Sequence, residues 1–103
     1  MAAGLDASVI PWLRQRDVAL IGSESALSVT PFPATSQIPG PDDYLPVHNF
    51  VLVALGMNVL DNCDLDALAE AAARGKRWEF LLTAAPLPMV RGTGSPINPI
   101  ALF

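Results

Sequence analysis

The sequence predicts an α/β fold, helices packed on a sheet, with elements in the order α-β-loop-α-β-α-β. Three observations lead there. Short strand-like runs, Val18–Gly22 (VALIG), Met57–Leu60 (MNVL) and Trp78–Ala84, alternate with helix-patterned segments. The chain is 51% hydrophobic and 16% charged, a composition that builds a core rather than a disordered coil. Its 103 residues are the length of one domain.

Taken in order, Ser8 is placed to cap a short helix running through Arg16, with Pro11 in the first turn, where a missing N–H costs little. VALIG follows as a buried strand. Residues 23–45 form a long connection rich in Ser, Thr and Pro, in which Gly40-Pro41-Asp42-Asp43 reads as a solvated turn. Connections of this length in compact domains are functional or cover another surface. Pro46 suits the first position of a helix running to Leu55, and Gly56 stands where a helix terminates. MNVL is the next strand. Asp64 then caps a helix over Leu65–Arg74, whose apolar stripe is Leu65, Leu68, Ala69 and Ala72. Arg74, Lys76 and Arg77 complement the dipole at its C-terminal end.

After the last strand comes a tail punctuated by Pro86, Pro88, Gly92, Gly94, Pro96 and Pro99, which cannot propagate helix or a central strand. Its Leu87, Met89, Val90, Ile97, Ile100, Leu102 and Phe103 nevertheless require burial, so the tail reads as a shaped apolar coat over another surface.

A net charge of −4, with six basic residues in no run, gives no electrostatic footprint for nucleic acid or an anionic membrane. No apolar stretch approaches the roughly 20 residues that span a bilayer. The N-terminus lacks the basic start and apolar core of a secretory signal, so the expected location is cytoplasmic. A single cysteine, Cys63, excludes an internal disulfide framework and a multi-thiolate metal site, and reads as a small packed residue. High hydrophobicity in so small a chain points to association, as a homo-oligomer or as part of something larger.

The polar residues that could carry chemistry are Ser23, Glu24, His48, Asp61, Asn62 and Thr93–Ser95. If the three strands are parallel, strand C-termini and helix N-termini share one sheet edge, the edge where α/β folds bind ligands. Ser23 and Glu24 follow VALIG, Asp61 follows MNVL, Thr83 ends the last strand, and His48 lies in a first helical turn. A helix N-terminus disfavours imidazolium, leaving the neutral ring that a metal needs. The competing reading makes His48 a partly buried core histidine in register with Leu52 and Leu55. Asp61 and Asn62 have a plain reading as turn formers before Asp64. The stretch Arg91–Pro96 (RGTGSP) is not a phosphate loop, lacking the Gly-Lys-Ser/Thr ending and a following helix; Thr93 and Ser95 could line a pocket or simply form the turn.

Three segments, WLRQRDVALIGSES, LPVHNFVLVALGMNVLDNCDLDALAEAA and RWEFLLTAAPLPMVRGTGSPINPIALF, together resemble the cyclase family, metal-dependent hydrolases that include bacterial kynurenine formamidase-like enzymes. The resemblance implies a mixed sheet with helices packed on it, and a zinc or manganese ion activating water against a small amide or ester carbonyl, as in arylformamidase-type tryptophan catabolism. It makes His48 the histidine that this family places near the metal, and Asp61 the counterpart of a glutamate used as a further ligand or acid–base partner. Arg91 stands where a glycine often precedes GTGSP. The family's main ligand motif, His-x-Gly-Thr-His-x-Asp with a further histidine, cannot be present, because the sequence holds one histidine. The resemblance is therefore to the C-terminal part of such a protein, and the 103 residues alone are expected to lack the full activity. The alternative is a non-catalytic interaction module that self-associates or complements a separate chain.

Overall fold

The computed structural model describes residues 4–27 and 46–103. Most of the long connection, with its Gly40–Asp43 turn, lies outside the described residues. The chain divides into two compact units, Met1–Leu65 and Asp66–Phe103. No helix among the described residues is long and apolar enough to cross a membrane.

In the first unit, helix α1 spans Val9–Gln15. Ser8 occupies the cap position, but its hydroxyl makes no capping bond. The function falls to Asp6, whose Oδ1 accepts the Ser8 N–H at 2.9 Å. That bond holds the Asp6 carboxyl below its usual range, the Ser8 backbone N–H being the larger cause and the Ser8 hydroxyl a smaller one. The helix ends with Asp17 at φ 48°. Val18 N–H donates to Leu13 O (3.3 Å) and Asp17 N–H to Arg14 O (3.2 Å), the paired bonds of a left-handed helix stop.

Strand β1 is Leu20–Gly22, shorter than the expected Val18–Gly22 and only half-buried at Leu20 and Ile21. It pairs in parallel with β2, Asn58–Leu60, in the register Leu20↔Asn58, Ile21↔Val59, Gly22↔Leu60. Between them α2, Pro46–His48, begins at the expected proline and passes directly into a π-helical stretch, Asn49–Ala54. Leu55 N–H reaches back five residues to Phe50 O (2.9 Å), and the stretch ends at Gly56, φ 62°. Leu13, Leu27, Val47, Val51 and Met57 form the core, with Leu5, Val9, Val18, Ile21, Leu55 and Val59 packed on it. Leu27, Val47 and Val51 are fully buried, each contributing about 1.5–3 kcal/mol of transfer free energy.

In the second unit α3 covers Asp66–Gly75, one residue later at each end than expected. Of the expected stripe, Ala72 is buried, Leu65 and Leu68 are half-buried and Ala69 is exposed. The helix stops as α1 does: Lys76 adopts φ 48°, Lys76 N–H donates to Ala73 O (3.2 Å) and Arg77 N–H to Ala72 O (3.0 Å). Strand β3, Leu81–Thr83, pairs antiparallel with β4, Ile100–Leu102, in the register Leu81↔Leu102, Leu82↔Ala101, Thr83↔Ile100. The Phe80 and Phe103 rings meet beside the pair at 5.4 Å.

Two expectations are corrected here. The strands do not form one mixed sheet: among the described residues there are two two-stranded sheets, one parallel and one antiparallel. The expected strand Trp78–Ala84 contracts to Leu81–Thr83 because its partner offers only three residues, and that partner lies in the proline-rich tail. Pro99 immediately precedes β4, a position where its missing N–H removes no ladder bond.

Candidate functional site

The edge where β1 and β2 end is built largely from backbone hydrogen bonds that continue beyond the sheet. Ser23 N–H donates to Leu60 O (3.0 Å), Cys63 N–H to Ser23 O (2.9 Å), and Asn62 N–H to Ser25 O (3.4 Å). Asn62 takes φ 53°, a left-handed conformation that asparagine tolerates better than most residues. The chain after β2 is thereby clamped to the chain after β1, and Asp61 sits at the clamp's start. Ser25 N–H donates to Ser23 Oγ (3.1 Å), and the two hydroxyl oxygens lie 3.2 Å apart.

His48 arrives from the helical side. It adjoins Val47 and is held by the two valine anchors, Val47 and Val51, both fully buried. The wide turn that follows keeps Leu55 against the core and leaves Leu52 exposed, so the expected register of His48 with both leucines does not form.

Here the two elements meet: His48 Nε2–H donates to Asp61 Oδ2 at 2.6 Å. A carboxylate only accepts, so this bond assigns the proton to Nε2. The His48 side chain is 12% exposed and that of Asp61 32%, which makes the carboxylate the more accessible member. His48 Nδ1 is buried and has no hydrogen-bond partner among the described residues. Such a group costs free energy unless something else engages it.

The remaining candidates divide. Ser23 belongs to the same edge through its backbone. Asn62 serves the turn, as its plain reading proposed, and Glu24 is exposed. Thr83 was expected here on condition that all three strands run parallel; among the described residues β3 instead pairs antiparallel with β4. Ser95 Oγ accepts Leu87 N–H (3.0 Å) and donates to Pro96 O (3.2 Å), so its hydroxyl ties the tail to itself. Thr93 is exposed. Arg91 stands at φ 62°, third residue of a turn closed by Gly92 N–H to Met89 O (3.0 Å), a conformation glycine adopts without strain.

No family model and no curated protein matches the sequence. A solved structure described as that of a novel cyclase matches with a TM-score of 0.80 and 32% sequence identity, over 97% of this chain and 30% of that one. The likeness is to the fold of a cyclase, over part of that protein's length. This chain spans 30% of the length of its cyclase relative.

The donors bear on whether the zinc or manganese that the resemblance implies would fit. Imidazole and carboxylate are suitable in kind. They are two where a catalytic zinc takes about three protein ligands, and no group of three such side chains occurs among the described residues. Spacing tells the same way. Ligand atoms on one tetrahedral zinc stand roughly 3.3 Å apart, given bonds of about 2.0–2.1 Å, whereas Nε2 and Oδ2 are at 2.6 Å. As it stands, the pair is a hydrogen-bonded acid–base dyad, and it does not make a metal centre unaided.

Proposed function

We propose that this chain carries one part of the active site of a hydrolase of small amides or esters, of the kynurenine formamidase-like kind, with His48 and Asp61 as its acid–base pair. The observation that carries the reading is the 2.6 Å bond from His48 to Asp61 at the end of the parallel strands, within a chain that matches a cyclase over 97% of its length. Hydrolysis of an amide needs a group that takes a proton from water and one that returns a proton to the leaving amine. A histidine and a carboxylate sharing one proton can do both, with Asp61 as the exposed face and His48 behind it. Zinc or manganese, which the resemblance implies, would require ligands beyond these two residues. The isolated chain is accordingly expected to be inactive.

The test is a chimera in which these 103 residues replace the matching stretch of the solved cyclase, assayed with zinc or manganese on N-formylkynurenine and on simple aryl amides and esters. Turnover is expected, with kcat/KM falling by about 100-fold or more on His48→Ala or Asp61→Ala. A folded chimera that hydrolyses none of these, or one indifferent to both substitutions, overturns the reading. An inactive but folded chimera would instead favour the non-catalytic interaction module.

A further inference from the structure

The edge that carries His48 and Asp61 also carries a pair of hydroxyls that the acid–base reading leaves unused. The chain keeps its strand alternation past the end of β1. Ile21, Ser23 and Ser25 are half-buried and Leu27 is fully buried, while Gly22, Glu24 and Ala26 are exposed. Ile21 and its register partner Val59 both pack on the core. Side chains alternate along a strand, so Ser23, two residues after Ile21, and Asp61, two after Val59, fall on that same face. Neighbouring strands lie about 4.8 Å apart, which puts both residues within reach of one small group. The ladder breaks just beyond them. A regular parallel register would join Asn62 N–H to Ser23 O, but Cys63 N–H takes that oxygen (2.9 Å). One extra residue therefore enters the second segment, a bulge of the kind that re-aims a side chain beside a site.

The bonding of the two serines leaves a donor over. Ser25 N–H donates to Ser23 Oγ (3.1 Å), which closes the turn without using a hydroxyl proton. The two hydroxyl oxygens are 3.2 Å apart, and the bond between them uses one of their two protons. The dyad, by contrast, is short of donors. The Asp61 carboxylate only accepts, and the His48 Nε2 proton is committed to it. Ser23, His48 and Asp61 are not a nucleophilic triad, because His48 Nδ1, the ring nitrogen left for a serine, has no partner among the described residues.

We propose that Ser23 Oγ–H donates to the carbonyl oxygen of the amide or ester, with Ser25 as a positioning residue whose hydroxyl donates to Ser23 Oγ. Ser23 Oγ then accepts two bonds, from the Ser25 N–H and the Ser25 hydroxyl, which polarises its own proton outward. A carbonyl oxygen under attack gains negative charge, and a preorganised donor aimed at it binds more strongly as that charge develops. Asp61 supplies the acceptor that the same attack needs. The inference rests on the functional reading above for the substrate class, and deepens it by naming the group that holds the carbonyl.

The experiment titrates formanilide, a neutral aryl amide, and its thioamide analogue into the full 103-residue chain, followed by NMR of the backbone amides. Sulfur accepts a hydrogen bond more weakly than oxygen. The parent should therefore bind formanilide about 5-fold more tightly than the thioamide, with shifts at Ser23 and Ser25. Ser23→Ala should erase that preference by weakening formanilide alone, and Ser23→Thr, which keeps the hydroxyl, should restore it. Ser25→Ala retains the N–H that closes the turn and should weaken formanilide about 2-fold. Glu24→Gln should bind as the parent does. Three results overturn the proposal: no shift at Ser23 or Ser25 up to the solubility limit of formanilide, equal affinity of the parent for both ligands, or a Ser23→Ala loss equal for both, as a merely structural serine would give. A Ser23-dependent oxygen preference alongside a chimera that does not hydrolyse leaves the hydroxyl pair standing and removes the catalytic reading. A chimera that hydrolyses aryl amides equally well with Ser23→Ala does the reverse.

Discussion

The His48–Asp61 bond should be measurable as a coupling free energy in the chain by itself. A hydrogen bond to a charged group contributes about 1.5–3 kcal/mol when shielded from water. Here the imidazole is shielded but the carboxylate is 32% exposed, so water replaces part of what is lost and the low end, about 1.5 kcal/mol, applies. The singles differ in mechanism. Asp61→Ala leaves a mostly buried ring whose Nδ1 already lacks a partner among the described residues, and it should destabilise by about 2 kcal/mol. His48→Ala frees a carboxylate that can turn to solvent, and costs mainly the packing of the ring. Asp61→Asn keeps an acceptor oxygen without the charge and should recover about half the coupling, since charge-assisted bonds are roughly twice as strong as neutral ones. The assay is urea unfolding of the four members of the His48/Asp61 alanine cycle on a Trp78→Phe background, so that Trp12 reports the first unit alone. A coupling below about 0.5 kcal/mol would refute the claim that the bond organises the site.

Four further outcomes follow from the backbone. Arg91→Gly should raise stability by about 0.5–1 kcal/mol in thermal or urea unfolding, because arginine pays a left-handed penalty at φ 62° that glycine does not; Gly92→Ala should lower it, since an added Cβ would lie 2.9 Å from the Met89 Cβ. Lys76→Gly should likewise stabilise α3 by about 0.5–1 kcal/mol, read as slower amide exchange at Arg77, whose N–H closes the helix. The Asp6 carboxyl, titrated by NMR, should show a midpoint below its usual 3.8, and Ser8→Ala should preserve most of that depression because the backbone N–H is the larger cause. The sign follows from linkage: a carboxylate with a depressed folded pKa adds stability above its unfolded value, and the contribution disappears as pH falls through the folded one.

Much of the first unit was legible because its local signals agree with its packing. Pro46 opened a helix, Gly56 closed it, and VALIG and MNVL contained the strands that pair in parallel. The same parallel pairing brought His48 and Asp61 to one edge. What escaped detection had a physical reason in each case. Apolar periodicity cannot tell the wide turns of Asn49–Ala54 from an α-helix, because Val47 and Val51 anchor both. The helix stops at Asp17 and Lys76, and the turn at Arg91, are left-handed without glycine, so the usual glycine signal is absent. Strand β4 was hidden by its flanking prolines, and with it the antiparallel pairing of β3. Asp6 was overlooked as a cap because it lies two residues before the Ser8 that looked the part.

The clamp between the chain segments after β1 and β2 is made mostly from main-chain atoms: Ser23 to Leu60, Cys63 to Ser23, Asn62 to Ser25. Its register therefore rests mainly on main-chain bonds, with the left-handed turn at Asn62 and the Ser23 hydroxyl as the parts that depend on side-chain identity. Glu24, exposed and outside these bonds, can be exchanged for a larger, smaller or oppositely charged residue while Asp61 stays at its hydrogen-bonding distance from His48. For a protein engineer Glu24 is thus a point beside a fixed dyad where side-chain size and charge can be varied at little cost to folding.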